Sequence, residues 1–341
     1  RVINMHEGET LSNSGWKIET PLIGPAFLAL LVIALAAVPF FGGTGTMRLM
    51  VEIFAMIAMA QAWNLLAGYT GFVSVGQQAF IGIGAYGLFM VALKGGIDPF
   101  SSVLLGGICA GLIGAISAPA LFHLRGPYFA IGTWVLAELF RIFITNNDYF
   151  GGASGLTLAR VLKEIPRDIR NDTTYWIALA LAASTLVLVY VLLRSRFGLA
   201  IRTVRDNEYS AESVGVNVRG VKFTVFVIAS FITGCAGAVA YLNTMFVTTS
   251  AAFSIEWSAF IIFVVIIGGI GTIEGPVIGA LVYFFLREWL ADFGTWYIIT
   301  LGSVAIAVIV WAPDGIWGLI AKRYPIRLFP AGAVMRKKPS N

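Results

Sequence analysis

Asn64-Leu65-Leu66-Ala67-Gly68-Tyr69-Thr70-Gly71-Phe72-Val73-Ser74-Val75-Gly76-Gln77-Gln78-Ala79-Phe80 is a polar, glycine-bearing passage set between apolar blocks that reach back to 47 and on to 93. A bilayer core about 30 Å thick asks for roughly 20 apolar residues per spanning helix. Irregular backbone at that depth is tolerated only where it is buried in protein or lines a cavity. Broken helices of this kind bring backbone groups to solutes at mid-membrane. The passage therefore predicts an all-α integral membrane protein with an interrupted helix beside an internal path. Tyr69, Thr70, Gly71, Ser74, Gln77 and Gln78 are its candidate lining residues. Close helix contact is the alternative reading of its glycines.

Working outward, the composition agrees: 58% of the 341 residues are hydrophobic and only 12% are charged. Apolar blocks at 22–41, 47–66, 72–93, 101–122, 128–145, 174–193, 222–248, 257–273, 276–291 and 296–312 predict about ten transmembrane helices. Pro21, Pro99, Pro127 and Pro276 stand at or beside block starts, where proline costs a helix least. The blocks 257–273 and 276–291 are short, and Gly268-Gly269-Ile270-Gly271-Thr272-Ile273-Glu274-Gly275-Pro276 joins them as a cytoplasmic turn or a re-entrant bend. Its sequel, 275–283, echoes Ile81-Gly82-Ile83-Gly84-Ala85-Tyr86, and paired interruptions point to a binding path, which adds Gly271 to the candidates. The spacings Gly107–Gly111 and Ser230–Gly234 suit close helix contact.

The expected organisation is a polar tail at 1–21, a transmembrane domain at 22–320 and a basic tail at 321–341. Residues 1–21 lack the layout of a cleavable signal peptide. Basic residues favour the cytoplasmic side. Loop 194–221 carries Arg194, Arg196, Arg202, Arg205 and Arg219, and the tail carries Lys322, Arg323, Arg327, Arg336, Lys337 and Lys338. Four blocks separate them, so both fall inside, and six more crossings place the N-terminus inside too. Loop 146–173 then lies outside despite Arg160, Lys163, Arg167 and Arg170. The basic tail suits contact with lipid headgroups.

Several chemistries are excluded. No Gly-Lys pair occurs, so no phosphate-cradling P-loop is present. With His6 and His123 as its histidines and no His-Glu-x-x-His or Cys-x-x-Cys, the chain offers no metal set, and no cofactor or enzymatic reaction is expected of it. The modest net charge of +5, gathered in loops and at the C-terminus, does not suit nucleic acid. Cys109 and Cys235 lie in apolar blocks and read as small core residues. Charge inside a span is costly. Glu138 and Arg141 stand three apart on one helix face and can neutralise each other, either as an internal tie or beside the path. Glu52 is expected to reach water, and Arg287 with Glu288 to snorkel.

Loop 194–221 reads as two short amphipathic helices, with Ile201, Val204, Tyr209 and Val214 as the apolar set. Asp206 and Glu208 open the second and Gly215 ends it. A folded, charged loop suits a soluble docking partner. At this point the sequence resembles the permease subunits of branched-chain amino acid ABC importers, the LivM-like family. The resemblance runs from about 47 to 320 and rests on Asn64 to Gly71, Phe80 to Tyr86, Arg125-Gly126-Pro127-Tyr128-Phe129-Ala130-Ile131, Arg194-Ser195-Arg196-Phe197-Gly198, Gly215-Val216-Asn217-Val218 and 268–280.

The resemblance implies a multi-pass subunit of the bacterial cytoplasmic membrane. It works by alternating access with a second homologous permease, two cytoplasmic ATPases and a periplasmic solute-binding protein. The small-molecule solute would be a branched-chain or other hydrophobic amino acid. The segment 206–217 resembles the coupling helix, with Asp206, Glu208, Ala211, Glu212 and Gly215 toward an ATPase. Only Ala211 and Gly215 match the family's older loop motif, and Gln77 stands where family members often have histidine. A urea or amide permease would share nearly every motif. A sugar-type permease fits Arg125 to Phe129 less well, and a stand-alone secondary transporter would leave the docking loop without a purpose.

Overall fold

The computed structural model describes residues 16–18, 23–290, 296–323 and 335–337. Most of the tail 1–21, with Pro21, and much of the tail 321–341, with Arg327 and Lys338, lie outside the described residues. A short strand β1 (Trp16–Ile18) precedes α1 (Ile23–Ala36), whose 14 residues fall short of the expected 22–41. Pro39 explains the early stop, because it lacks an N–H and collides with the preceding turn; a 3-10 turn, Val38–Phe40, follows instead. Next, α2 (Thr44–Asn64) runs directly into one widened π-helical turn, Leu65–Tyr69, and together they make a 26-residue span. The block expected at 72–93 begins as a helix only at α3 (Gln77–Lys94).

Helix α4 (Pro99–Leu121) starts where the prolines predict: Pro99 takes its first turn and Asp98 accepts from the N–H groups of Phe100 and Ser101 at 3.0 and 3.1 Å. Helix α5 (Pro127–Thr145) starts the same way on its proline. The expected outer loop 146–173 is a folded cap of 3-10 turns and a strand, β2 (Leu156–Thr157), with Leu158 and Leu162 fully buried beneath it. It ends early, because α6 (Arg167–Arg194) begins at Arg167 rather than 174, with Asp168 complementing the helix N-terminus. Then come α7 (Arg196–Asp206), α8 (Glu208–Ser213) and α9 (Val218–Thr244). Strand β3 (Phe246–Val247) pairs antiparallel with β2. The chain continues through α10 (Thr249–Ala252), α11 (Ile255–Gly268), α12 (Gly275–Leu290), α13 (Trp296–Trp311) and α14 (Gly315–Arg323). A last strand, β4 (Met335–Lys337), pairs antiparallel with β1.

Each of the ten predicted blocks holds a helix. Among the described residues, seven helical runs have the length and apolarity to cross a bilayer. Helices α2 and α9 form the centre, with 83% and 78% of their apolar windows buried. By contrast α5 buries 22%, so its apolar side chains face outward toward lipid or another subunit. Three backbones meet without intervening side chains where α3, α4 and α9 cross. A Cβ on Gly84 would stand 2.0 Å from the Gly234 carbonyl oxygen, and one on Gly106 would stand 2.3 Å from that of Gly84. Ala110 and Cys235 fill the flanks of this seam, so Cys235 is the small core residue its setting predicts.

Candidate functional site

The interruption after α2 is built from side chains that reclaim the backbone groups a continuous helix would satisfy. The Thr70 hydroxyl donates to the Leu66 carbonyl, and Gly71, at φ +80°, turns the chain out of the helix. In the extended passage that follows, Trp63 Nε1 donates to the Ser74 carbonyl at 2.8 Å and the Val75 N–H donates to Thr133 Oγ1 at 3.1 Å. Where α3 restarts, the Gln77 N–H donates to Ser258 Oγ on α11 at 3.1 Å, and the Ser258 hydroxyl donates to Gln78 Oε1. Thr233 on α9 donates to Gln77 Oε1 at 3.2 Å. Through the Ser74 carbonyl, the Val75 N–H and the side chains of Gln77 and Gln78, this buried passage ties α2, α3, α5, α9 and α11 together. Gln77 Nε2, the Tyr69 hydroxyl and the whole Gln61 amide are buried with no protein partner, which a dry core avoids.

The second interruption, 269–274, touches the first. Asn64 Oδ1 accepts from the Gly271 N–H at 2.8 Å, and Asn64 Nδ2 donates to the Thr272 carbonyl at 2.7 Å. Gly68 permits this approach, since a Cβ there would lie 2.2 Å from Asn64 Oδ1 and 2.7 Å from the Gly271 nitrogen. Gly271 adopts φ +76°, a left-handed conformation that favours glycine. The sequence suggested that the two stretches are related. Their hydrogen bonding through Asn64 was not visible, because Asn64 sits in an apolar run with nothing to mark its partner 207 residues away.

Loop 194–221 reaches the same point. From α7, Arg205 Nη1 donates to the carbonyl of Gly68, a buried residue of the widened turn, at 3.0 Å. From α8, Glu208 pairs with Lys222 at 2.6 Å, and Lys222 Nζ stands 4.4 Å from the centre of the Phe72 ring. Asp206 does not open α8 as expected; it closes α7. Asn207 opens α8, because its extended backbone lets its side-chain oxygen accept from the Ser210 N–H at 3.0 Å. Ala211 is buried, Glu212 is exposed, and Gly215 at φ +85° follows the helix. The expected apolar set divides. Ile201 and Val204 are buried, whereas Tyr209 and Val214 are 68% and 73% exposed. Nothing in the sequence singled out Arg205, one of several loop arginines, as the donor to Gly68.

Glu138 and Arg141 form a bidentate pair, with Arg141 Nε donating to Glu138 Oε2 at 2.8 Å. It ties two turns of α5 on a partly exposed face and does not bridge two helices. Glu52 and Arg287, expected to reach for water separately, form an ion pair of 2.7 Å between α2 and α12. That pair borders a cavity of about 940 Å³ between α2, α9, α11 and α12. The cavity is at the far end of α9 from loop 194–221.

A family model described as branched-chain amino acid transport system / permease component matches residues 45–312. The high-affinity branched-chain amino acid transport system permease protein LivM of Escherichia coli K12 is 26% identical over 315 residues, covering 85% of this chain and 74% of that protein. LivM of Salmonella typhimurium is 27% identical, covering 85% of this chain and 73% of its own length. The fructose import permease protein FrcC of Rhizobium meliloti is 22% identical, covering 84% and 86%.

Proposed function

Since this chain belongs to the family of branched-chain amino acid transport system permease components, we propose that it is the subunit through which an ATP-driven importer of the bacterial cytoplasmic membrane takes up branched-chain or other hydrophobic amino acids. It is a translocation component, and the ATP hydrolysis that drives it resides in two cytoplasmic ATPases. A second homologous permease completes the path and a periplasmic binding protein delivers solute. The observation that carries this reading is the two-sided docking loop: Tyr209 and Val214 stand outward, while Arg205 holds the Gly68 carbonyl at the helix interruption. An ATPase seated on α7 and α8 therefore pushes directly on the π-helical turn and, through Asn64, on Gly271 and Thr272. Alternating access needs only that the two states differ in exposure of the path and in affinity for solute.

The fructose permease among the relatives makes a sugar the second reading, and the choice between them is a matter of solute. The test is purification of the chain from its native membranes. A second permease and a P-loop ATPase should accompany it, and the reconstituted assembly should take up leucine on addition of ATP and binding protein. Leucine-independent uptake of fructose would select the second reading. Active uptake by the chain alone, without ATP, would remove both.

The loop's outward residues give a separate prediction. Tyr209→Asp with Val214→Asp places two charges on this outward face, where Arg125 donates to the Tyr209 hydroxyl at 2.9 Å, and is expected to lower ATPase retention by about tenfold or more, a loss on the scale of a central interface residue. The variant should stay folded, because neither side chain is buried; size-exclusion profiles with and without the ATPase check both points.

A further inference from the structure

The cavity bordered by Glu52 and Arg287 has a chemical character of its own. Its charged edge is the 2.7 Å pair, with side chains 35% and 44% exposed, and Glu256 of α11 adds a second carboxylate nearby. Its wall is apolar and aromatic, with Met56, Phe260 and Phe284 among the lining side chains. The Phe260 and Tyr283 rings lie 5.3 Å apart at a tilt of 43°, and Arg287 lies 5.4 Å from the centre of the Phe284 ring. A pocket of this kind, mostly apolar with a few convergent polar groups, is the ordinary form of a small-molecule site.

Its place in the fold is equally definite. Ala240, Tyr241 and Thr244 line it from the last turns of α9, whereas the first turn of α9 follows the docking loop. At 1.5 Å per residue the 27 residues of α9 separate the two by about 40 Å, so the cavity serves the membrane face opposite the ATPases. Phe246, at its lip, belongs to β3 and is held by β2 of the folded cap.

We propose that this cavity is a binding site for a zwitterionic amino acid with an aliphatic side chain, in which Arg287 takes the carboxylate, Glu52 and Glu256 take the ammonium group, and the wall around Met56, Phe260 and Phe284 takes the side chain. The inference rests on the transport function proposed above and deepens it to a site. An ion pair at a cavity wall can open onto a zwitterion with little net loss of charge pairing, because the ligand brings one charge of each sign to replace each partner. A neutral sugar has no such exchange to offer, and its hydroxyls would meet the apolar wall unpaired.

The competing account is a clamp, in which the pair merely holds α2 to α12. Both are tested in the reconstituted importer by measuring leucine uptake per ATP hydrolysed at saturating binding protein. Glu52→Gln and Arg287→Gln should each lower that ratio by about tenfold or more, the discrimination expected when one partner of a polar contact is left unpaired. The exchanged pair, Glu52→Arg with Arg287→Glu, should recover the thermal stability of the assembly but not the uptake, because both charges then face the ligand reversed. Met56→Trp, which narrows the cavity and leaves the pair intact, should also block uptake. Recovery of uptake together with stability in the exchanged pair would establish the clamp and overturn the site, as would full uptake by Met56→Trp. Failure of the unaltered importer to move leucine would instead overturn the proposed function, and this site with it.

Discussion

Replacement of Asn64 by leucine is expected to leave an assembled importer that hydrolyses ATP and moves almost no solute. Asn64 is fully buried and serves both interruptions at once, accepting from the Gly271 N–H and donating to the Thr272 carbonyl. Leucine is close to it in size and satisfies neither. Each buried backbone group left without a partner costs roughly 1–3 kcal/mol, which is enough to part the turn at 269–272 from the end of α2. The outward face of the exposed Tyr209 and Val214, proposed above as the ATPase contact, is untouched, so ATPase binding is expected to persist. Arg205→Ala should act in the same direction by releasing the Gly68 carbonyl, and Arg205→Lys less severely, since an ammonium keeps the charge without the planar guanidinium. The measurement is ATP hydrolysis and leucine uptake on the same vesicles. A fall in uptake of about tenfold at unchanged hydrolysis, some 1.4 kcal/mol of lost coupling, is the expected result. Uptake and hydrolysis falling together would show that Asn64 holds the fold and nothing more.

The second large effect concerns folding itself. Gly234→Leu should yield no monodisperse protein after detergent extraction. A Cβ at 234 would stand 2.3 Å from Ala110 Cβ and 3.2 Å from Gly107 Cα, and the Gly234 carbonyl already faces Gly84 across the seam. Overpacking of an adaptable core costs about 1–3 kcal/mol, but here the neighbours are largely backbone and cannot rotate away. The matched control is Gly302→Leu on α13, where an added Cβ meets nothing within 4 Å. That variant should give a chromatographic profile and thermal midpoint close to those of the unaltered protein. Equal behaviour of the two would mean that α3, α4 and α9 tolerate separation.

Much of the architecture was legible because a membrane imposes a crude and repetitive rule. Length of apolar run marked a helix in each of the ten expected blocks but gave no sign of α10 or α14, and Pro99 and Pro127 open α4 and α5 just ahead of the expected 101 and 128. Ends were less legible where local chemistry overrode hydropathy. Pro39 stopped α1 early, and α6 began at Arg167 among charges that no apolar window would include. At the site, the strangeness of 64–80 was plain because polar groups in a span are costly. What they touch was not, since Gln77 meets Thr233 and Ser258 over separations of 156 and 181 residues. The pairing of Glu52 with Arg287 was hidden for the same reason: each sits near a span end, where a lone charge needs no partner to be tolerated. Long-range polar pairing leaves no periodicity to read.

The glycine seam also limits how such a bundle can move. Side chains between helices act as bearings, letting one cylinder slide or roll over another as rotamers change. Where Gly84, Gly106 and Gly234 meet, no bearing remains, and sliding would drive carbonyl into carbonyl. Helices α3, α4 and α9 are thus expected to turn as one block. A push through Arg205 would find its compliance elsewhere, along the boundaries where α11 meets α3 and where α11 and α12 pack on α2.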